Sequence, residues 1–574
     1  MASIAVQRSL SKKVIGTVLC QRKAICRAYS TESIQDKDVV IVGGGPAGLA
    51  LASALGSNEL VRESIKVALV EAGDLSKIHD WSLPAGTYSN RVSSITNSSR
   101  TFLEDIGAWS YVDASRTSPV REMQVWDGIS DARITFDAAE IPSSGGTTTA
   151  ESSEMARLTE NLNLQRALLR HLANIEDIQL LQKVKVESIQ REHKEGGNGW
   201  PLVHLSDGTT IRARLLVGAD GFNSPVRSYA GISSYGWAYD TQAVVATLNH
   251  PPRGAFQGPN HTAYQRFLPT GPIAFLPLSP TVSSLVWSTK PRLAAALCKS
   301  DPAVLANMIN AAFRLPEVSV RYLHERILEA DIAGTSLSHE AICDEIAFRE
   351  RSHDISKYSA YASITSAISG GIPPNDAEAV PPLVTSIQPG TIASFPLKYN
   401  RAEAYLGEGP GGRTVLVGDA AHTVHPLAGQ GLNLGLGDVE CLARCITQTL
   451  TQGGDIGAYT ALRSYSRERY FANYKVMSAV DKLHKLYSTT LGPVVWARSV
   501  GLEVLNELDS VKAALMMDAG GSRIQGSGWD VLAKGVEGLA GGLSTASMLG
   551  QGIGSVVGAR IGELAKTVGR RYSS

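Results

Sequence analysis

Surplus charge and cysteine are both scarce in this 574-residue chain: 54 Lys plus Arg balance 54 Asp plus Glu, and there are only 6 cysteines. The balance excludes a global field that would draw in nucleic acid or an acidic partner, so partners must be sought in local features. Cys298, Cys343, Cys441 and Cys445 form no zinc or redox pattern, and no His/Cys/Asp group has metal-ligand spacing, so no metal is expected. Cys441 and Cys445, four apart on an expected helix, read as small buried apolar residues. No G-x-S-x-G lies between a strand and a helix, which removes a serine-nucleophile enzyme. The body of the chain has no apolar run of 18 or more, which excludes a spanning helix there.

What is present is apolar substance, at 43% hydrophobic residues, enough for about three or four domains. The first 31 residues carry Arg8, Lys12, Lys13, Arg22, Lys23 and Arg27 before the first acid, Glu32. That is the composition of a mitochondrial transit peptide, with Arg27-Ala28-Tyr29-Ser30 resembling a matrix-protease site that would release residues 1–29. A reducing matrix also suits the cysteines, because Cys20 and Cys26 leave with that segment.

Three distant segments share one design: apolar β-formers that end in a Gly/Asp turn. The first is Val39 to Gly48 (VVIVGGGPAG), a buried strand running into G-x-G-x-x-G and a helix. Gly43, Gly45 and Gly48 let the turn close and the backbone approach a pyrophosphate, which the helix N-terminus stabilises. The next strand ends in Glu71, placed for a ribose, with Asn58 to Ser64 lengthening the link before it. The second segment is Leu215 to Arg227, with Asp220, and the third is Val415 to Asn433, with Asp419. Each carboxylate closes a strand and is placed for sugar or ribityl hydroxyls. Gly431, Leu432 and Asn433 open a further helix, whose free N–H groups suit the electron-rich edge of a flavin. A second G-x-G-x-x-G, Gly407 to Gly412, precedes its strand and is rejected as a dinucleotide site. The three segments together predict FAD.

On these motifs the chain resembles the flavoprotein aromatic hydroxylases, carried by the glycine fingerprint, Asp220-Gly221 with Ser224 and Arg227, and Gly418-Asp419. Arg91, Glu160-Asn161, Gln265 to Leu278 and the full Gly418 to Asp438 stretch narrow the resemblance to the ubiquinone-biosynthesis monooxygenases. Tyr465, Arg469, Asn473 and Asp481 suit the mitochondrial branch. The resemblance implies that Arg91 and Asn161 contact FAD, that Asp419 meets its ribityl or phosphate side, and that Leu432 and Asn433 meet the isoalloxazine through their backbone. Pro426 belongs to the same cofactor-binding stretch. It further implies hydroxylation of a polyprenylated phenol by O2 through a flavin C4a-hydroperoxide. Electrons would come from ferredoxin and ferredoxin reductase, and the enzyme would join a multi-protein biosynthetic complex touching the matrix side of the inner membrane. No catalytic side chain is singled out: His422 and His425 read as hydrogen-bonded structural residues. Two other functions stay open, an NAD(P)H-driven hydroxylase of a small soluble aromatic and a flavin-stabilised scaffold without catalysis.

The expected architecture is α/β: a Rossmann-like FAD-binding domain, an inserted mainly antiparallel β-sheet substrate domain and a helical C-terminal region. The FAD domain is drawn from 37–120, 150–232 and 392–440, and the substrate domain from 121–149 and 233–391, with an insertion near 315–390. Helices fill 441–519. Phe267 to Leu278 is expected to wall the substrate pocket, its Gly and Pro residues bending strand edges over the flavin. In the tail, 520–574, Gly538, Gly542, Ala546, Gly550, Gly554, Gly558 and Gly562 recur every fourth position. They would give a helix with one small-residue face, for a membrane or a partner protein.

Overall fold

The computed structural model describes residues 34–140, 154–194, 197–253, 258–353, 355 and 380–506. The transit segment, the glycine-rich tail and residues 356–379 of the expected insertion lie outside the described residues. Strand Gln35–Val42 is central to the first sheet, and Val39, Val40 and Ile41 have no exposed surface. Such a run of β-branched residues is what burial on both faces of a parallel sheet requires. It pairs in parallel with Val67–Glu71 on one side and Thr210–Gly218 on the other. Ile178–Gln182 extends one edge, while Gly197–Leu205 and Val186–Lys194 add an antiparallel edge to the other. Thr414–Leu416 joins the C-terminal end of Thr210–Gly218 in parallel, so the three strand ends found in the sequence lie side by side.

Helix Pro46–Ser57 opens with Pro46 in its first turn and is buried from Gly48 to Gly56. It packs against Asn161–Leu172 and Gln430–Thr451. A short helix, Glu59–Ser64, capped by Asn58, fills the lengthened link before Glu71.

The second sheet has nine strands, and every neighbouring pair is antiparallel except Thr262–Leu268 with Glu122–Asp127. Val244, Ala246 and Leu248 alternate toward one face, where helices Pro291–Lys299, Pro302–Arg314, Glu317–Ile332 and His339–Ser352 complete a core with Trp126, Phe275 and Trp287. The opposite face carries Tyr239, Ala243, Leu397 and Tyr399 toward helix Tyr459–Tyr487. A small third sheet joins Val92–Thr96, Ala156–Glu160 and Thr117–Val120.

Two boundaries differ from expectation. The segment drawn as 392–440 is divided, because Ala393–Ala402 pairs with Ser234–Asn249 in the second sheet. Leu397 and Tyr399 supply the inward side chains that this pairing buries. Helix Gln430–Thr451 runs through the expected break at 440, since its apolar face stays against the nucleotide-sheet core throughout. The proline-rich stretch also differs: Thr262–Leu268 and Gly271–Pro277 form a regular hairpin closed by the two-residue turn Pro269-Thr270, after which Gly271, paired with Leu268, takes φ +136°.

Helix Gly492–Asn506 is fixed to the second sheet by one buried ion pair. Arg498 donates from Nε and Nη2 to the Asp127 carboxylate at 2.8 and 2.9 Å, and from Nη1 to the Leu486 and Thr489 carbonyls. Both side chains are almost wholly buried. Arg498→Met should therefore strand the Asp127 charge and cost about 3 to 5 kcal/mol. Urea unfolding is the check, and the double variant Arg498→Met/Asp127→Leu should recover most of the loss.

Candidate functional site

The first glycine turn is a close-packed object. A Cβ on Gly43, whose φ is +112°, would lie 2.2 Å from the Ala219 carbonyl oxygen, and one on Gly48 would lie 1.9 Å from the Gly43 carbonyl oxygen. Gly45 is the opposite case: it faces open space, and it caps helix Pro46–Ser57 without a side-chain hydrogen bond. The helix N-terminus is therefore open to an anion. Glu71 braces the turn, each carboxylate oxygen accepting one backbone N–H, from Gly44 and from Gly73, at 2.6 Å. An ionised carboxylate has about four lone-pair sites, so ribose hydroxyls still find acceptors there.

The second strand end presents Asp220. Its Oδ2 accepts the Val226 N–H at 3.0 Å, whereas Oδ1 is buried with no partner. Burial pushes this carboxyl up, and hydrogen bonds from Ser224 and Val226 pull it back. Ser224 caps the following short helix through the Arg227 N–H, and Arg227 donates to the Phe222 and Ala420 carbonyls at 2.6 and 2.7 Å. The second motif is thereby tied to the third. Asp419, at the third strand end, keeps an accessible face in a recess whose desolvation pushes its carboxyl up, with His422 pulling it down.

Pro426 precedes a single 3-10 turn, Leu427–Gly429, and Gly429 takes φ +62° to start helix Gln430–Thr451. No side chain caps that helix, so the first-turn N–H groups of Gly431, Leu432 and Asn433 are presented by the backbone. The Asn433 amide is fully used: Nδ2 donates to the Ser94 carbonyl at 2.7 Å and Oδ1 accepts the Thr96 N–H at 3.1 Å. It pins the helix start to strand Val92–Thr96. At the edge of that strand, the Arg91 carbonyl accepts the Asn161 N–H at 3.0 Å, and Ser93 donates its hydroxyl to Asn161 Oδ1 at 2.6 Å. Asn161 is the first residue of its helix, and the cap position belongs to Glu160. The Arg91 side chain is exposed.

Behind these groups lies a node that sequence reading quoted only as the end of a motif. The wholly buried Asp438 carboxylate accepts from Gly418 N at 3.1 Å, His422 Nε2 at 2.6 Å, Arg469 Nε at 2.9 Å and Asn473 Nδ2 at 2.8 Å. Burial alone would raise its pKa, yet His422 and Arg469 hold it down at about 2. Its signal in the sequence was an acid inside an apolar helical stretch, Leu434 to Val439. A second cluster was not foreseen. Tyr239, His425 and His484 pack ring to ring with centroids 4.8 to 5.1 Å apart, and Tyr239 donates its hydroxyl to Asp481 at 2.9 Å. His425 Nδ1 accepts the Leu427 N–H, and burial pushes its pKa down to about 3, so it is a neutral ring that shapes the Pro426 turn.

The fit to a flavin dinucleotide rests on these groups: an unpartnered buried oxygen at Asp220, an open glycine at an uncapped helix, the accessible Asp419 and a second uncapped helix start. Among the described residues, no group of three or more His, Cys, Asp or Glu is placed to hold a metal.

Two variants test the geometry. Gly48→Ala drives a methyl into a backbone carbonyl and should abolish FAD retention, read as the 450 nm absorbance of the purified protein. Asp438 has a folded pKa below the usual unfolded value, so its contribution is present above about pH 4 and is lost as pH falls toward 2, about 2 kcal/mol in all. Asp438→Asn should be less stable than wild type at pH 7, with the gap closing across that window in urea titrations at stepped pH.

A family model described as an FAD binding domain matches residues 36–331 and 379–480. The ubiquinone biosynthesis monooxygenase COQ6, mitochondrial, of Schizosaccharomyces pombe is 36% identical over 525 residues, covering 89% of this chain and 98% of its own. The Homo sapiens protein of the same name is 35% identical, covering 85% and 92%. Among solved structures, p-nitrophenol 4-monooxygenase PnpA from Pseudomonas putida superposes with a TM-score of 0.55 at 16% identity, covering 86% of this chain and all of its own. PqsL from Pseudomonas aeruginosa, a probable FAD-dependent monooxygenase, gives 0.52 at 19%, covering 82% and 99%. The two structures share the fold, and the curated relatives place the sequence: this chain belongs to the ubiquinone biosynthesis monooxygenase family of FAD-dependent enzymes.

Proposed function

We propose that this enzyme hydroxylates the aromatic ring of a polyprenylated phenolic precursor of ubiquinone on the matrix side of the mitochondrial inner membrane. The observation that carries the reading is a packed apolar cluster beside the Pro426 turn. Val125, Ile134, Phe267, Leu427, Val480 and Tyr487 pack there, with Phe267 stacked on Tyr487 at 4.1 Å between ring centroids. Bound FAD supplies the activation of O2, which is the hard chemistry of the reaction. The protein's own share is to hold the pyrophosphate at Gly43 to Gly48, the sugar hydroxyls near Glu71, Asp220 and Asp419, and the ring at Gly431 to Asn433. Arg91 and Asn161, on the edge of the Val92–Thr96 strand, complete the set.

This apolar surface would keep water from the ring, which would suppress wasteful release of peroxide. No side chain is assigned as acid or base. His425 is neutral and hydrogen-bonded to the turn, and His422 is committed to Asp438. A prenylated ring also suits the relatives, whose names state ubiquinone biosynthesis and mitochondrion. The basic, acid-free start of the chain supports import, and membership in a biosynthetic assembly follows from the same reading.

Electrons are assigned to ferredoxin and its reductase. The support is that Gly407 to Gly412, the other glycine match, folds as a turn against Ala230 and Arg191 ahead of its strand, which leaves one strand-turn-helix fingerprint among the described residues. Anaerobic reduction of the FAD-loaded protein is the test. Bleaching should require NADPH, ferredoxin reductase and ferredoxin together, and aerobic turnover should then add one oxygen atom from O2 to a prenylated phenol. Rapid bleaching by NADPH alone, with turnover of a small soluble phenol, would assign a conventional aromatic hydroxylase instead.

A further inference from the structure

Helix Tyr459–Tyr487 turns Val480, His484 and Tyr487 to one side, since positions i, i+4 and i+7 share a helix face. Val480 and Tyr487 belong to the apolar cluster beside the Pro426 turn, and Val424 and Val476 join that cluster to the one formed by Tyr239, Leu397, Leu434 and Met477. His425 and His484 meet at this junction, 0% and 8% exposed, with ring centroids 4.8 Å apart. Tyr239 fixes both: its ring meets theirs edge-on at 5.1 and 4.8 Å, and its hydroxyl is anchored on Asp481. Yet each imidazole keeps one buried nitrogen, His425 Nε2 and His484 Nδ1, with no hydrogen-bond partner among the described residues. Because His425 Nδ1 accepts the Leu427 N–H, the proton of the neutral ring is on Nε2, and the unpartnered atom is a donor. Burial keeps both rings from charging: His425 is pushed down to about 3, and His484 is pushed down by burial, with Lys290 and Lys485 adding to the effect and Asp481 opposing it. A buried donor or acceptor without a partner costs free energy, so a ligand that matches the pair is bound selectively.

We propose that His425 and His484 bind the ring hydroxyl of the substrate, His425 donating its Nε2–H to the oxygen and His484 accepting the hydroxyl proton at Nδ1. A hydroxyl is the group that both accepts and donates, so it satisfies a fixed donor and a neighbouring free nitrogen at once. The tautomer this asks of His484, with the proton on Nε2, is open to it because nothing else claims Nδ1. A carboxylate matches less well: both rings are uncharged, and the lysines whose field reaches His484, Lys290 and Lys485, are paired with Asp240 and Asp481. A ring without polar substituents would leave both nitrogens unmade. The inference rests on the reading of a phenolic substrate and adds to it the residues that select the hydroxyl. A ring held at its hydroxyl by these two histidines, and along its apolar body by the cluster of Val480 and Tyr487, has one orientation toward the Pro426 turn, which is what hydroxylation at a single position requires.

Equilibrium dialysis of the FAD-loaded full chain against a short-tailed prenyl phenol, and against the same compound without its hydroxyl, is the test. The wild type should bind the phenol about 10-fold more tightly, because the deoxy compound leaves both nitrogens unpaired. His425→Asn keeps an acceptor for the Leu427 N–H at the Nδ1 position and removes the Nε2 donor. His484→Phe keeps a ring packed on Tyr239 and removes the acceptor. Each variant should narrow the preference to about 3-fold or less by weakening the phenol alone, with the deoxy compound bound as by the wild type. A role in packing would weaken both compounds alike, and that result overturns the inference, as does a variant that keeps the full preference. If His425→Asn fails to retain FAD, His484→Phe decides the matter, since its site is on the helix and not on the flavin turn. A wild type that hydroxylates the phenol yet binds the deoxy compound equally well overturns the inference and leaves the substrate reading standing. A wild type that binds neither compound overturns both.

Discussion

One buried carboxylate organises the cofactor side of this molecule. Asp438 sits on helix Gln430–Thr451, yet its four partners belong to the third strand end, the strand after it and the helix Tyr459–Tyr487. Losing all water is costly for an anion, and the Arg469 guanidinium together with the donors of Gly418, His422 and Asn473 offsets that cost. Because Gly418 N is one of those donors, the position of Asp419 is set by a residue nineteen places along the chain. Arg227 adds a second tie, from the Asp220 motif to the Ala420 carbonyl. The Asp220 and Asp419 motifs are therefore one mechanical unit.

The glycine turn, Asp220 and Asp419 were legible in the sequence because the backbone itself makes the demand. Gly43 and Gly48 leave no room for a Cβ, and the acids end apolar strands whose character is visible residue by residue. The antiparallel second sheet was expected as part of the architecture and not from local pattern: its longest strand, Ser234–Asn249, is buried without alternation from Ala243 to Leu248. What escaped was long-range. Nothing local distinguishes Ala393–Ala402 from a strand of the nucleotide sheet, because its place depends on pairing with residues 148 to 168 positions earlier. The same holds for the Tyr239, His425 and His484 cluster, whose members come from three separate segments. Pro272 and Pro277 misled in a different way: they were read as bending strand edges over the flavin, while Pro269-Thr270 makes the turn and Pro272 pairs directly with Phe267.

The two faces of the second sheet divide the work. One is sealed by four helices into a structural core, and Arg266, buried in that layer, ties sheet to helix through the Ala312 and Leu315 carbonyls. The other meets the Pro426 turn, with Phe267, Val125 and Ile134 against Leu427 and the C-terminal helices. Helix Gly492–Asn506 closes that side, and its one buried arginine holds it to Asp127. The chemistry asked of the site is mainly exclusion and placement, which explains why it is built from apolar side chains and committed histidines.

A crystal structure of the purified protein with its flavin tests the central claim most directly. The account predicts the pyrophosphate at the N-terminus of Pro46–Ser57, hydroxyls of the sugar chains on Glu71, Asp220 and Asp419, and the pyrimidine edge of the ring on the N–H groups that open Gln430–Thr451. A flavin bound elsewhere, with Asp220 Oδ1 still unpartnered and the Gly45 face empty, would contradict it.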